Sequence, residues 1–177
     1  MKKLLILVSA VALSGTMFAQ KGTTDNPWTL EGTVNVTTSG GVKWDVPSVR
    51  ARYFFKDNMA GRVSLNFGSS SDSTVGSSNS IGLGFEYHLA GNDKMSPYFN
   101  AGVNLGGMNK TVAGVETKTS SLGFGIGAGL DYYIRENIYV GLELTVLSFT
   151  SNTEGDADAV TNISLGGGSA IRMGWRF

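Results

Sequence analysis

The 177-residue chain has no cysteine, three prolines, a single histidine and no excess of either charge. Without cysteine there is no disulfide framework and no thiolate metal site, so the fold must be held by its core or by its solvent. With one histidine, any imidazole chemistry must use His88. Also missing is a run of roughly 20 apolar residues, which excludes a helical membrane protein. The balanced charge, with 14 Lys+Arg against 14 Asp+Glu, gives no basic surface for nucleic acid.

The first residues read as an export signal. Lys2 and Lys3 form a positive start, Leu4 to Leu13 an apolar segment too short to span a bilayer, and Ala19 a small residue suited to cleavage. The expected organisation is a signal peptide over 1–19, a short N-terminal extension over 20–27 and one domain over 28–177. Cleavage leaves about 158 residues, enough for one core, with a net charge of about −2 once two lysines are removed.

Glycine, at 25 residues, is abundant, and much of it is periodic. From Trp28 onward, stretches of about nine to eleven residues alternate apolar with polar or glycine, the length a tilted strand needs to cross a membrane. The first strand sets Trp28, Leu30, Val34 and Val36 against Thr29, Glu31, Thr33 and Asn35; the second sets Val49, Ala51, Tyr53 and Phe55 against Ser48, Arg50 and Arg52. Val63, Leu65 and Phe67 mark the third, Ile81 to Leu89 the fourth, and Phe99 to Leu105 the fifth. In the sixth, Leu122 to Tyr132 interleave with Gly123, Gly125, Gly127, Gly129 and Asp131. The seventh opposes Ile138, Val140, Leu142, Leu144 and Val146 to Tyr139, Gly141, Glu143 and Thr145, and the eighth carries Ile163, Leu165, Ile171, Met173, Trp175 and Phe177 on odd positions.

Volume decides which face is inside. The glycine, serine and asparagine face is too small to fill a soluble core, while the aliphatic and aromatic face would aggregate in water. Turning the large face to lipid and closing the sheet satisfies both constraints and leaves no backbone edge in hydrocarbon. The expectation is an all-β, eight-stranded antiparallel up-and-down transmembrane barrel. Short connections at Lys56–Asn58, Gly91–Lys94 and Arg135–Asn137 alternate with longer ones at Thr38–Asp45, Gly68–Asn79, Met108–Lys118 and Thr150–Thr161. Short periplasmic turns and long external loops are the outer-membrane pattern of a Gram-negative cell, with both termini periplasmic. Ten aromatics near the short-turn end (Trp28, Tyr53, Phe55, Tyr87, Phe99, Tyr132, Tyr133, Tyr139, Trp175 and Phe177) suggest a girdle at one interface.

The inward charges expected are Glu31, Arg50, Arg52, Arg62, Glu86, Asp131, Glu143, Arg172 and Arg176, with His88 beside them. In so narrow a lumen they must pair, with glycines making room for arginines to cross it. The Gly123–Gly129 run has strand period, not the spacing of a phosphate loop. Glu154, Asp156 and Asp158 alternate like calcium ligands but lack the glycine and distal glutamate of a calcium loop, and read as a solvated acidic loop. The serine-rich stretch Ser69–Ser80 reads as a flexible external loop. Neither cofactor nor metal is implied.

The alternating barrel pattern resembles the small outer-membrane barrels typified by the OmpA transmembrane domain and OmpX. Ile171, Met173, Trp175 and Phe177 are similar to the C-terminal signal that barrel-assembly machinery recognises in such proteins. The resemblance implies outer-membrane lipid, lipopolysaccharide and that machinery as partners of a monomer. The chain stops at Phe177, so no wall-anchoring domain is expected. It also implies a non-enzymatic envelope protein with surface loops for adhesion. Rival expectations are a narrow pore for water or small solutes, and a lipid A-modifying enzyme. Enzymes of that kind pair histidine with serine near the outer leaflet, whereas His88 is near a periplasmic turn with no serine two residues on.

Overall fold

A computed structural model describes residues 24–37, 41–43, 48–69, 76–92, 94–112 and 115–177. The signal peptide over 1–19, half of the extension over 20–27 and parts of the first three long connections lie outside the described residues.

The strands are β1 (Trp28–Thr37), β2 (Gly41–Lys43), β3 (Ser48–Lys56), β4 (Met59–Ser69), β5 (Ser77–His88), β6 (Met95–Val112), β7 (Val115–Arg135), β8 (Ile138–Glu154) and β9 (Val160–Arg176). The strands pair antiparallel in the order β2-β1-β3-β4-β5-β6-β7-β8-β9, and β1 also pairs with β9 from Thr29↔Arg176 to Val36↔Ser169, which closes the ring. The three residues of β2 pair with the upper end of β1, above the β1–β3 ladder. With β2 continuing the β3 side, eight strands make the wall.

Local chemistry explains the closed end. β3 and β4 are joined through Asp57–Asn58, and β7 and β8 through Glu136–Asn137, two-residue connections that hold antiparallel strands in register. The β5–β6 turn is held by Asn92, whose Oδ1 accepts from the backbone N–H of Lys94 at 3.0 Å and of Met95 at 2.8 Å. Such side-chain bonds to nearby backbone are what make asparagine a turn residue.

The eight wall strands are unequal, from 9 residues in β3 to 21 in β7, where strands of about nine to eleven were expected. Two of the expected long loops are therefore mostly sheet. β6 and β7 stay paired up to Val112↔Val115, and β8 and β9 are separated only by residues 155–159, with Gly155 at φ 56°. Apolar alternation ends where side chains become polar, but above the membrane both faces of a strand are wet, and the backbone ladder continues without an apolar face. Within the serine-rich stretch, Ser77–Ser80 already belong to β5.

The apolar face looks outward. Leu83, Leu105, Phe99, Met173 and Trp175 are more than half exposed, and glycines, hydroxyls and charges point inward. Two members of the expected girdle do not belong to it: Tyr133 and Tyr139 are buried in the lumen, where their rings pack 5.3 Å apart. The turn after Arg135 shifts the register between Tyr133 and Arg135, and Tyr139 has the same parity as Gly141 and Glu143. Midway up β8 a further shift between Thr145 and Leu147 turns both Val146 and Leu147 away from the inward series.

Candidate functional site

The lower half of the lumen holds a compact ionic cluster. Arg52, on β3, reaches three carboxylates: Nε lies 2.7 Å from Glu31 Oε1, and Nη1 lies 2.8 Å from both Glu86 Oε2 and Asp131 Oδ2. Arg172, on β9, comes from the other side of β1, two strands round the ring from β3, and places Nη1 2.9 Å from Glu31 Oε2 and Nη2 2.8 Å from Asp131 Oδ1. Two strands that are remote in sequence but flank β1 are thus joined through Glu31 between them and tied across the lumen to Asp131 on β7.

A second layer lies outward of the first. Arg62 Nη1 bonds Glu143 Oε2 at 2.8 Å and Glu86 Oε1 at 3.2 Å, while Arg50 Nη1 bonds the same Glu143 oxygen at 3.0 Å. Four guanidinium groups face four carboxylates, so the cluster is formally neutral. Arg52, Glu86, Asp131 and Arg172 have no exposure to solvent, and Glu31 has almost none. Burial of that degree demands such pairing, since an isolated ion costs several kcal/mol to dehydrate.

Of the ten inward residues expected, eight are joined in this ion-pair cluster. His88 sits at its rim, with Nε2 3.2 Å from Glu86 Oε2. Arg176 is placed nearer the short-turn end, its guanidinium 5.9 Å from the centre of the Tyr133 ring.

Sequence reading missed an aromatic layer below and within the charges. Phe54, Tyr98, Tyr133 and Tyr139 are all buried. Tyr98 donates to Glu143 Oε2 at 3.0 Å and contacts Arg172 Nη2; Tyr139 donates to Glu31 Oε1 at 2.5 Å. The Arg52 guanidinium stacks 5.0 Å from the Tyr139 ring and 5.5 Å from Phe54. The parity of Tyr98 and Tyr139 was a signal, because each falls on the inward series of its strand.

Glycine creates the space for these side chains. Tyr98 is paired with Gly129, Arg62 with Gly84, Arg172 with Gly141 and Tyr139 with Gly174. A Cβ at Gly129 would collide with the Tyr98 ring, one at Gly174 with Tyr139, and one at Gly141 with both Arg172 and Asp131. Each large inward residue lies flat over a glycine on the next strand, so a narrow barrel accommodates a full layer.

His88 does have a serine partner, supplied by the next strand: Ser96 Oγ lies 2.9 Å from Nδ1. Counting along one strand could not find it, because the β5–β6 hairpin makes the contact. Glu86, His88 and Ser96 thus stand in the order of a nucleophile relay. All three are buried, and the imidazole is packed between Phe54 and Tyr98 at 5.0 and 5.1 Å. The hydroxyl has no open face on which an acyl group could sit.

Outward of Arg62, Asn100 and Glu143 the lumen opens into a cavity of about 320 Å³, with Ser64, Asn104, Ser121, Thr145, Ser148 and Thr150 on its walls. The C-terminal series Ile171, Met173, Trp175 and Phe177 lies exposed on the lipid side, with Ile171, Met173 and Trp175 on β9. No group of His, Cys, Asp or Glu suited to a metal occurs among the described residues.

A closed antiparallel ring with an apolar exterior and a charged interior defines a transmembrane β-barrel. Residues 5–169 match the family described as the outer membrane protein beta-barrel domain, and the chain belongs to that family. It is accordingly an outer-membrane protein. Among solved structures it is similar to the N-terminal β-barrel domain of Pseudomonas aeruginosa OprF, at 18% identity and TM-score 0.60 over 86% of this chain and 98% of that one. It is also similar to outer membrane protein W of E. coli, at 14% identity and TM-score 0.55 over 86% and 98%. Ail, the attachment invasion locus protein of Yersinia pestis, follows at 13% identity and TM-score 0.50 over 85% and 97%. At these identities the likeness is one of fold. No curated protein matches the chain.

Proposed function

We propose that this chain is a non-enzymatic envelope protein whose lumen is sealed by its own side chains, and that it acts by stabilising the outer membrane and presenting its external hairpins. The observation that carries this reading is the neutral set of four guanidinium and four carboxylate groups, five of them with 2% exposure or less. A hydrated ion passing through would have to break several charge-assisted bonds of 2.7–2.9 Å and displace the aromatic layer beneath them. The packing of His88 and Ser96 supports the absence of acyl chemistry, and a His88→Ala strain is expected to keep an unchanged lipid A acylation pattern.

The outer cavity favours one rival, a narrow pore for water or small solutes with that cavity as its vestibule. Recording in planar bilayers separates the two. The sealed reading expects no reproducible conductance steps from the purified protein, and regular large steps would overturn it. Outer-membrane lipid and lipopolysaccharide cover the apolar belt of the monomer in this reading. The barrel-assembly machinery reads Ile171, Met173, Trp175 and Phe177 during insertion.

A further inference from the structure

The inward glycines of this barrel are of two kinds. Those low in the lumen are covered: a Cβ at Gly84 would meet the Arg62 side chain, one at Gly129 the Tyr98 ring, one at Gly141 the Arg172 guanidinium and one at Gly174 the Tyr139 ring. Higher on β7 the cover ends. A Cβ at Gly123 or Gly125 would meet nothing closer than 3.7 Å, and both glycines line the cavity of about 320 Å³ outward of Arg62 and Glu143. Its walls come from five adjacent strands, β4 to β8, at positions that are all among the described residues.

A break in register keeps that space polar. On β8 the inward series runs through Gly141, Glu143 and Thr145, and unbroken alternation would next turn Leu147 and Phe149 into the lumen. The shift between Thr145 and Leu147 instead brings Ser148 and Thr150 onto the cavity wall and leaves the Phe149 ring outside. Bulges re-aim side chains in this way beside functional sites. With Ser64, Asn104, Ser121 and Thr145 they make six hydroxyl or amide groups on four strands, and none of the six bonds to another side chain among the described residues. At the floor, Asn100 Nδ2 is buried without a partner.

Charge narrows the occupant. Arg62 meets Glu143 at 2.8 Å and Arg50 holds the same Glu143 oxygen at 3.0 Å, so the floor is balanced and favours neither an anion nor a cation. Hydroxyls both donate and accept, so a ligand that does likewise replaces water bond for bond. The volume is that of about ten waters, at the small end of ligand sites.

We propose that the outer cavity is a binding site for a small neutral polyhydroxy compound, one sugar ring or polyol, held between Ser148 and Thr150 on β8 and Ser64 across the ring on β4, with Gly123 and Gly125 leaving room for it. This rests on the reading that the lumen is sealed below, which makes the cavity a blind pocket entered from the outer side.

The probes are glucose, galactose and myo-inositol, each titrated into the full-length mature protein in zwitterionic micelles and followed by amide NMR. At least one should give saturable shifts at Gly123, Gly125, Ser148 and Thr150, with a Kd on the order of millimolar, as suits about a dozen heavy atoms. Gly125→Leu, which fills the cavity, should weaken binding about tenfold or more. Ser148→Ala/Thr150→Val, which keeps the space and removes two hydroxyls, should weaken it several-fold. Phe124→Leu, on the lipid side, should bind as wild type, and gluconate and glucosamine should both bind more weakly than the neutral sugars. Methyl glycosides separate the two sources of this chemistry: failure to bind points to a free sugar, equal binding to the end of a glycan chain, and either upholds the site. The proposal is overturned if no probe gives saturable shifts, as a cavity holding water alone would behave. It is equally overturned if both cavity variants bind as wild type, or if a charged analogue binds best. Conductance is read separately on the same protein, so a failed seal and an empty site are distinguishable.

Discussion

Arg52 is the residue whose loss should report most directly on the ionic cluster. Its guanidinium is within 2.8 Å of oxygens from Glu31, Glu86 and Asp131, on three different strands, with no solvent at its side chain. Arg52→Met keeps much of the side-chain volume but removes one positive charge, leaving four carboxylates with three guanidinium groups. Each acid retains at least one other arginine, since Glu31 and Asp131 still meet Arg172 and Glu86 still meets Arg62 at 3.2 Å. The expected cost is accordingly that of one uncompensated buried charge, about 3–5 kcal/mol. Restoring neutrality with Arg52→Met/Glu86→Gln should recover a large part of it, leaving the double variant more stable than the single one. Reversible urea unfolding in lipid vesicles, read by tryptophan fluorescence, measures all three variants, and the cycle isolates the coupling. A single variant within about 1 kcal/mol of wild type, or a double variant whose losses simply add, would refute the view that these charges act as one balanced unit.

Three further outcomes are expected. Gly129→Ala should destabilise by about 1–3 kcal/mol, because its methyl meets the Tyr98 ring, and exchanging the pair as Tyr98→Gly/Gly129→Tyr should recover part of the loss in the same unfolding assay. Leu83→Arg, which places a charge on the outer wall midway along β5, should cost about 2–4 kcal/mol in vesicles, whereas Ser64→Thr beside the outer cavity should be nearly neutral. Because the chain has no cysteine, Asp156→Cys and Asn137→Cys can each be labelled alone. A membrane-impermeant maleimide added to intact cells should reach Cys at 156 and not at 137, and the reverse would invert the orientation.

Hairpins that outgrow the membrane explain why surface presentation fits this barrel. A strand of 21 residues, tilted as in such barrels, rises about 50 Å, roughly twice the ~25 Å apolar band. Since the periplasmic turns are short, the excess in β6 to β9 stands outside. Among the described residues the wall is shortest at β3 and longest at β7.

Alternation alone was enough to determine the sidedness of the strands, except on β8 above the shift between Thr145 and Leu147. A period of two leaves one face per parity, and only one of the two faces of this chain is compatible with hydrocarbon, so Leu83 and Phe99 had to look out and Arg52 and Glu86 in. The tertiary structure alone decided which inward groups meet. Arg52 and Arg172 share Glu31 and Asp131 because the ring closes β1 onto β9, and Ser96 reaches His88 because a turn folds one strand back on the next. The lengths of β6 to β9 were equally hidden. Outside the bilayer water wets both faces, so the backbone continues its ladder while the side chains no longer record it.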